Sequence, residues 1–236
     1  AAIDDDGDMT TLDGAHVLVL GATGGLGSAI AHQLAASGAR LTLSARTPSH
    51  LDEMAAALGE CVVTTVAADL TAPDAPARIV AQAVAGAPLS GVVNAAGVVA
   101  FGASAELDDD TLDDLLLLNL IAPIRVVREA VSALGEGGFI VQISAVVAER
   151  PTAGMAAYSA AKAGLTAFDA AAAAELRRRR IRVLDVRPPH TETGLADRPI
   201  AGSSPRLPQG LDPADVARRV VRAILDDERD LPSSAF

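Results

Sequence analysis

AHVLVLGATGGLGSAIAHQLAAS, residues 15–37, decides how the rest of the chain is read. Ala15 to Leu20 is a short apolar run, suited to a parallel strand buried on both faces. Gly21 to Gly27 is a glycine-rich turn that also holds Thr23 and Leu26. An alanine-rich helical segment runs on to Ser37, and Gly38 closes it. Strand, glycine turn and helix N-terminus in this order make a cradle for phosphate. Glycines let the backbone approach a pyrophosphate, and the helix start offers free N–H groups and a positive dipole end. The spacing of Gly21, Gly25 and Gly27 is G-x-x-x-G-x-G rather than the commoner G-x-G-x-x-G. At the front of a βαβ unit the turn predicts a dinucleotide site.

The pattern then repeats. Arg40 to Ser44 reads as a second strand, with Ala45-Arg46-Thr47 at its carboxyl end. A dinucleotide's adenosine ribose lies at that place. An acid there would accept from a 2′-hydroxyl, whereas an arginine suits a 2′-phosphate. The acid is missing and Arg46 is present, which favours NADP(H) and leaves NAD(H) possible. Further on come a helix (51–58), a strand (62–67) ending in Asp69-Leu70-Thr71, and a helix (73–85). A strand over 89–93 then runs into Asn94-Ala95-Ala96-Gly97. A long helix is expected over 108–134, breaking or bending near Pro123, and a strand over 138–143 carrying Ser144 at its end. The spacing predicts a helix over 155–179, a strand over 181–186, and then Arg187-Pro188-Pro189-His190-Thr191-Glu192-Thr193. Asp212-Pro213 opens a last helix, and 229–236 reads as an edge strand. Strands alternating with helices predict an α/β fold. It is a Rossmann-type, doubly wound parallel sheet of about seven strands with helices on both faces. A mobile acidic segment (1–12) is expected to precede one domain (13–236).

Composition narrows the functions. The chain has 236 residues, half of them hydrophobic, enough for one sizeable core. With 19 basic and 30 acidic residues its net charge is −11, which argues against a nucleic-acid or anionic-membrane binder. The one cysteine, Cys61, excludes an internal disulfide framework and agrees with a reducing compartment. No signal peptide or membrane-length apolar run is visible, and the four histidines show no metal-ligand spacing. A cytoplasmic, metal-free protein is expected.

Tyr158 and Lys162 stand four apart, one turn from each other on a helix face. A lysine ammonium beside a phenol is expected to lower the tyrosine pKa, making Tyr158 a general acid/base. Ser144, fourteen positions earlier, offers a hydroxyl to the same spot. All the motifs fall after the carboxyl ends of successive strands, where ligands bind in such a sheet. In that joint order the sequence resembles the short-chain dehydrogenase/reductase family from about Ala15 to the last helix. The resemblance implies that Gly21, Thr23, Gly25, Leu26 and Gly27 border the pyrophosphate, and that Asp69 and Leu70 flank the adenine. Asn94, Ala95 and Gly97 would shape the floor under the riboses, and Pro188, Thr191 and Thr193 would orient the carboxamide. It implies a catalytic set in which Asn119 holds a relay water and Ser144 polarises the substrate carbonyl. Tyr158 would exchange the proton, and Lys162 would bind the ribose and tune Tyr158. Leu20, Gly24 and Pro189 depart from the family's usual threonine, basic residue and glycine.

The expected activity interconverts a carbonyl and a secondary alcohol on a small apolar substrate. Val98, Val99, Val146, Val147, Met155, His190 and Leu195 are the pocket candidates. Two alternatives stand beside it. One is a non-catalytic dinucleotide sensor or scaffold on the same fold; the other is imine or enoyl reduction, or epimerisation. Helices 108–134 and 155–179 carry apolar or small residues beyond one face, which predicts a homodimer or homotetramer through them.

Overall fold

The computed structural model describes residues 10–236. In chain order the regular elements begin with β1 (His16–Leu20), α1 (Gly25–Ala36), β2 (Arg40–Ala45) and α2 (Pro48–Leu58). Next are β3 (Val62–Ala67), α3 (Ala75–Gly86), β4 (Leu89–Asn94), α4 (Asp109–Leu116) and α5 (Ala122–Ala133). The last are β5 (Leu134–Ile143), α6 (Ala156–Leu176), β6 (Arg182–Val186), α7 (Pro213–Leu225) and β7 (Asp230–Leu231). The strands form one sheet in the order β3-β2-β1-β4-β5-β6-β7, and every neighbouring pair is parallel.

Strand alternation divides the core into two layers. Val17 and Val19 of β1, Val93 of β4, Phe139, Val141 and Ile143 of β5, and Leu184 and Val186 of β6 pack with α1, α2 and α7. Their neighbours Leu18, Leu20, Val92, Ile140 and Val183 pack with α3, α5 and α6 on the other face. Each such fully buried side chain contributes about 1.5–3 kcal/mol. The unbroken apolar runs of the strands follow from burial on both faces. The same parity decides where polar residues point: Ser144 and Asp185 belong to the face covered by α6.

The expected break or bend near Pro123 is present, and two other segments differ from the sequence expectation. The helix over 108–134 is interrupted before Pro123. After α4, whose start is capped by the Asp108 carboxylate accepting from Thr111 N–H at 2.7 Å, a π-helical turn occupies Leu117–Ile121. That turn shifts the hydrogen-bond register, so Pro123, near the start of α5, needs no helical N–H partner. The edge strand near the C-terminus is only two residues long, because Pro232 cannot donate to the ladder and the chain then coils into a short 3₁₀ turn. Of the expected mobile segment 1–12, residues 1–9 lie outside the described residues. Thr10 donates its hydroxyl to Asp227 at 2.5 Å, and Leu12 is buried in the core.

Candidate active site

The glycine turn is built by steric necessity. Gly21 has φ +70°, and a Cβ there would lie 2.7 Å from Ala96 N. A Cβ on Gly27 would lie 2.2 Å from the Gly21 carbonyl oxygen. The turn therefore closes only without side chains at these places. Helix α1 begins at Gly25 with no side-chain cap and no acid in its first turn. Its leading N–H groups are those a helix leaves without internal partners. An anion fits this place and a buried side chain does not. Thr23, Gly25 and Leu26 remain at least partly exposed there. Thr193 closes the far side: a Cβ on Gly25 would lie 2.6 Å from its carbonyl oxygen.

At the end of β2, Arg46 is exposed and lies near Asp69. The Thr71 hydroxyl and N–H hold the Asp69 carboxyl below the usual range, with a smaller contribution from Arg46. Leu70 is buried beside them. Asn94 is buried, donates to Gln142 Oε1 at 2.9 Å and accepts from Ala96 N–H at 3.3 Å, so it braces the turn of Ala95 and Ala96. Beyond β6, Pro188 accepts from Val146 N–H at 3.0 Å, and the Thr191 hydroxyl donates to Pro189 O at 2.9 Å.

The sequence-predicted catalytic residues converge on the buried face of α6. Asn119 is the buried residue of the π turn. Its amide donates to Val98 O at 2.9 Å and Leu115 O at 3.0 Å, and its oxygen accepts from Val98 N–H at 3.3 Å. Gly97 lies between: a Cβ there would be 2.9 Å from Asn119 Oδ1 and 3.7 Å from Lys162 Nζ. Lys162 is 3 % exposed and donates to Ile143 O at 2.8 Å. Its ammonium lies 5.9 Å from the Tyr158 ring centroid, over the face of the ring.

Two expectations change here. The lysine was expected to lower the tyrosine's pKa. Burial acts in the opposite direction and is larger, so the Tyr158 phenol is held well above its ordinary value. The same burial pushes Lys162 down to about 8, against the pull of Asp185 and Asp169. Ser144 was expected to face the substrate oxygen. Its hydroxyl instead donates to Lys162 O at 3.1 Å and pairs with Thr166 Oγ1 at 3.2 Å, because strand parity turns it toward α6. The next residue, Ala145, packs in the apolar cluster around Tyr158.

That cluster is one apolar group of side chains beside the site. Val98, Val99, Val146, Val147, Met155 and Leu195 gather there with Tyr158, and His190 has its Nε2 3.5 Å from Glu192. Phe101, Leu115 and Ala201 belong to the same group. They were missed because nothing in their local spacing distinguishes them from core. The loop after β6 is fastened to this group by Phe101 N–H to Ala201 O (3.0 Å) and Ile200 N–H to Val99 O (2.8 Å).

Comparison with known proteins gives concordant results. A family model described as short chain dehydrogenase matches residues 15–201. A galactitol 2-dehydrogenase (L-tagatose-forming) of Cereibacter sphaeroides is 34% identical over 189 residues, 78% of this chain and 74% of its own. A cyclic-di-GMP-binding biofilm dispersal mediator protein of Escherichia coli is 34% identical over 187 residues, 78% of this chain and 76% of its own. A short chain dehydrogenase from Burkholderia cenocepacia J2315, solved in complex with NADP, superposes with a TM-score of 0.84 at 30% identity. The match covers 96% of this chain and 99% of that one.

Proposed function

Because the chain belongs to the short-chain dehydrogenase/reductase family, we propose that it is an oxidoreductase interconverting a carbonyl and a secondary alcohol, with NADP(H) as preferred cofactor. The observation that carries this reading is the convergence of buried Tyr158, Lys162 and Asn119 with half-buried Gly97 behind an uncapped glycine turn. When bound, the dinucleotide supplies the hydride; the protein supplies position and proton. Gly21, Thr23, Gly25, Leu26 and Gly27 would cradle the pyrophosphate, and Arg46 would meet a 2′-phosphate. Asp69 and Leu70 would flank the adenine. Asn94, Ala95 and Gly97 would underlie the riboses, and Pro188, Thr191 and Thr193 would face the carboxamide.

In reduction Tyr158 gives its proton to the carbonyl oxygen. Its raised pKa keeps it protonated across the neutral range, which suits the donor role. Lys162, itself charged below about pH 8, faces the tyrosine ring and would restore the proton with Asn119. Ser144 would reach the substrate oxygen only by exchanging its bonds to Lys162 O and Thr166. The apolar cluster favours a small apolar substrate. No helix among the described residues is long and apolar enough to cross a membrane, and a cytoplasmic location is part of the proposal.

The test is oxidation of NADPH and NADH with a panel of ketones, aldehydes and diketones. Turnover with NADPH ahead of NADH is expected. Tyr158→Phe should lower kcat by about 10²–10⁴-fold while NADPH binding persists. A variant that kept most of its turnover would remove Tyr158 as the acid. A second reading, a dinucleotide sensor, is favoured by one observation: the cluster around Tyr158 holds Ala145 where a polarising hydroxyl was expected. Cofactor binding without turnover across the panel would select it, and product analysis would separate imine or enoyl reduction and epimerisation.

A further inference from the structure

Behind the site lies a charge arrangement that the proposed reaction does not use. Asp169 is two helical turns after Lys162 on α6, which returns it to the same buried face. It is 1 % exposed, and neither of its carboxylate oxygens has a hydrogen-bond partner among the described residues. Asp185 of β6 projects from the sheet face that α6 covers, and its Oδ1 is likewise unpartnered. Buried carboxylates without hydrogen bonds are rare, because removing them from water is costly unless a charge offsets it.

The cations near them are two. Arg187 is already engaged: it bonds Glu149 and Asp230 at 2.6 Å each, and also Asp185. Lys162 is the other. Around it stand Tyr158 and Asp169 from α6, the Ile143 carbonyl from β5, Asp185 from β6, Asn119 from the π turn, and Gly97. Thr166 lies one turn after Lys162, tying Ser144 to this cluster through its hydroxyl. Among these groups only Asp169 and Asp185 can carry negative charge.

We propose that Asp169 and Asp185 together are the buried counter-charge of Lys162, positioning residues that keep its ammonium charged and in place inside the closed site. Two carboxyls so placed do not both ionise readily. The pair keeps a proton, in agreement with the Asp169 carboxyl being raised to about 8 by burial and by Asp185. The remaining negative charge offsets Lys162. The proposal deepens the proposed function, on which the purpose of the charged lysine rests.

Lys162 is the only lysine in the sequence, so protein grown on lysine labelled with ¹³C at Cε gives a single side-chain resonance. Its shift with pH reads the ammonium's charge in the resting protein, with no cofactor or turnover needed. A Tyr158→Phe result therefore neither supports nor sinks it. The wild-type resonance is expected to be that of the ammonium at neutral pH. The double variant Asp169→Asn, Asp185→Asn, isosteric and uncharged, should lower the midpoint by more than about one unit, tenfold in proton affinity. A midpoint in the double variant equal to that of the wild type overturns the proposal. A wild-type lysine already neutral at neutral pH overturns it as well, and that measurement decides alone if the double variant does not fold.

Discussion

Ser144 and Ala145 are neighbours with opposite fates. Parity turns the Ser144 hydroxyl into the seam between β5 and α6, while Ala145 reaches the cluster around Tyr158. A hydroxyl at 145 would therefore stand where the substrate oxygen is to be held. If the protein reduces carbonyls, Ala145→Ser should raise kcat/KM toward ketones. A hydrogen bond to a charged or developing oxyanion contributes about 1.5–3 kcal/mol, which is about ten- to a hundredfold in rate. Steady-state kinetics on the ketone panel checks this; an unchanged or lower kcat/KM would place the carbonyl elsewhere. The pair also marks a limit of reading by spacing. A serine fourteen positions before a tyrosine was visible in the sequence, but the face of the strand on which it emerges depends on where the strand ends.

The elements show what the sequence did and did not disclose. The strands were legible because burial on both faces writes them as short runs of Val, Leu and Ile between glycine or polar turns, and most of their limits agree within a few residues. The glycine turn and the Asp212-Pro213 start of α7 were legible because their chemistry is local: the Asp212 carboxylate accepts from Ala214 N–H at 2.7 Å. The π turn was not, since its signature is a slipped hydrogen-bond register with no residue type of its own; only Pro123 hinted at it. Asp169 had a visible signal, a lone acid in an alanine run seven residues after Lys162, but its burial needed the tertiary structure. Asn119 locks the π turn to the loop after β4 through Val98. Asn119→Leu would leave the half-buried Val98 N–H and C=O without this partner, at up to about 1–3 kcal/mol each. Denaturant unfolding should show a loss of about 2–6 kcal/mol by that count. A change within about 0.5 kcal/mol, the range of ordinary surface substitutions, would mean that water replaces the amide.

At the scale of the molecule, the two helices expected to pair across a two-fold axis remain open on one side. Leu112, Leu116, Leu120 and Ile124 are half-buried along α4, the π turn and α5, and Ile121 is 37 % exposed. Within the chain, α6 already lies close to this face, as a Cβ on Gly164 would be 3.2 Å from Leu120. A homodimer or homotetramer through these helices is the proposed assembly. Light scattering should give two or four times the chain mass of 23.8 kDa, and Ile121→Arg should shift it toward the monomer. A wild-type monomer, or a variant that assembles as before, would move the interface elsewhere.

The burial of Lys162 has a consequence for chemical modification. An amine-reactive ester finds one lysine side chain in these 236 residues, and it is 3 % exposed on the buried face of α6. Acylation at that position requires local opening of the packing around the buried ammonium. Its rate thus becomes a clock for local opening, read by mass at a single peptide.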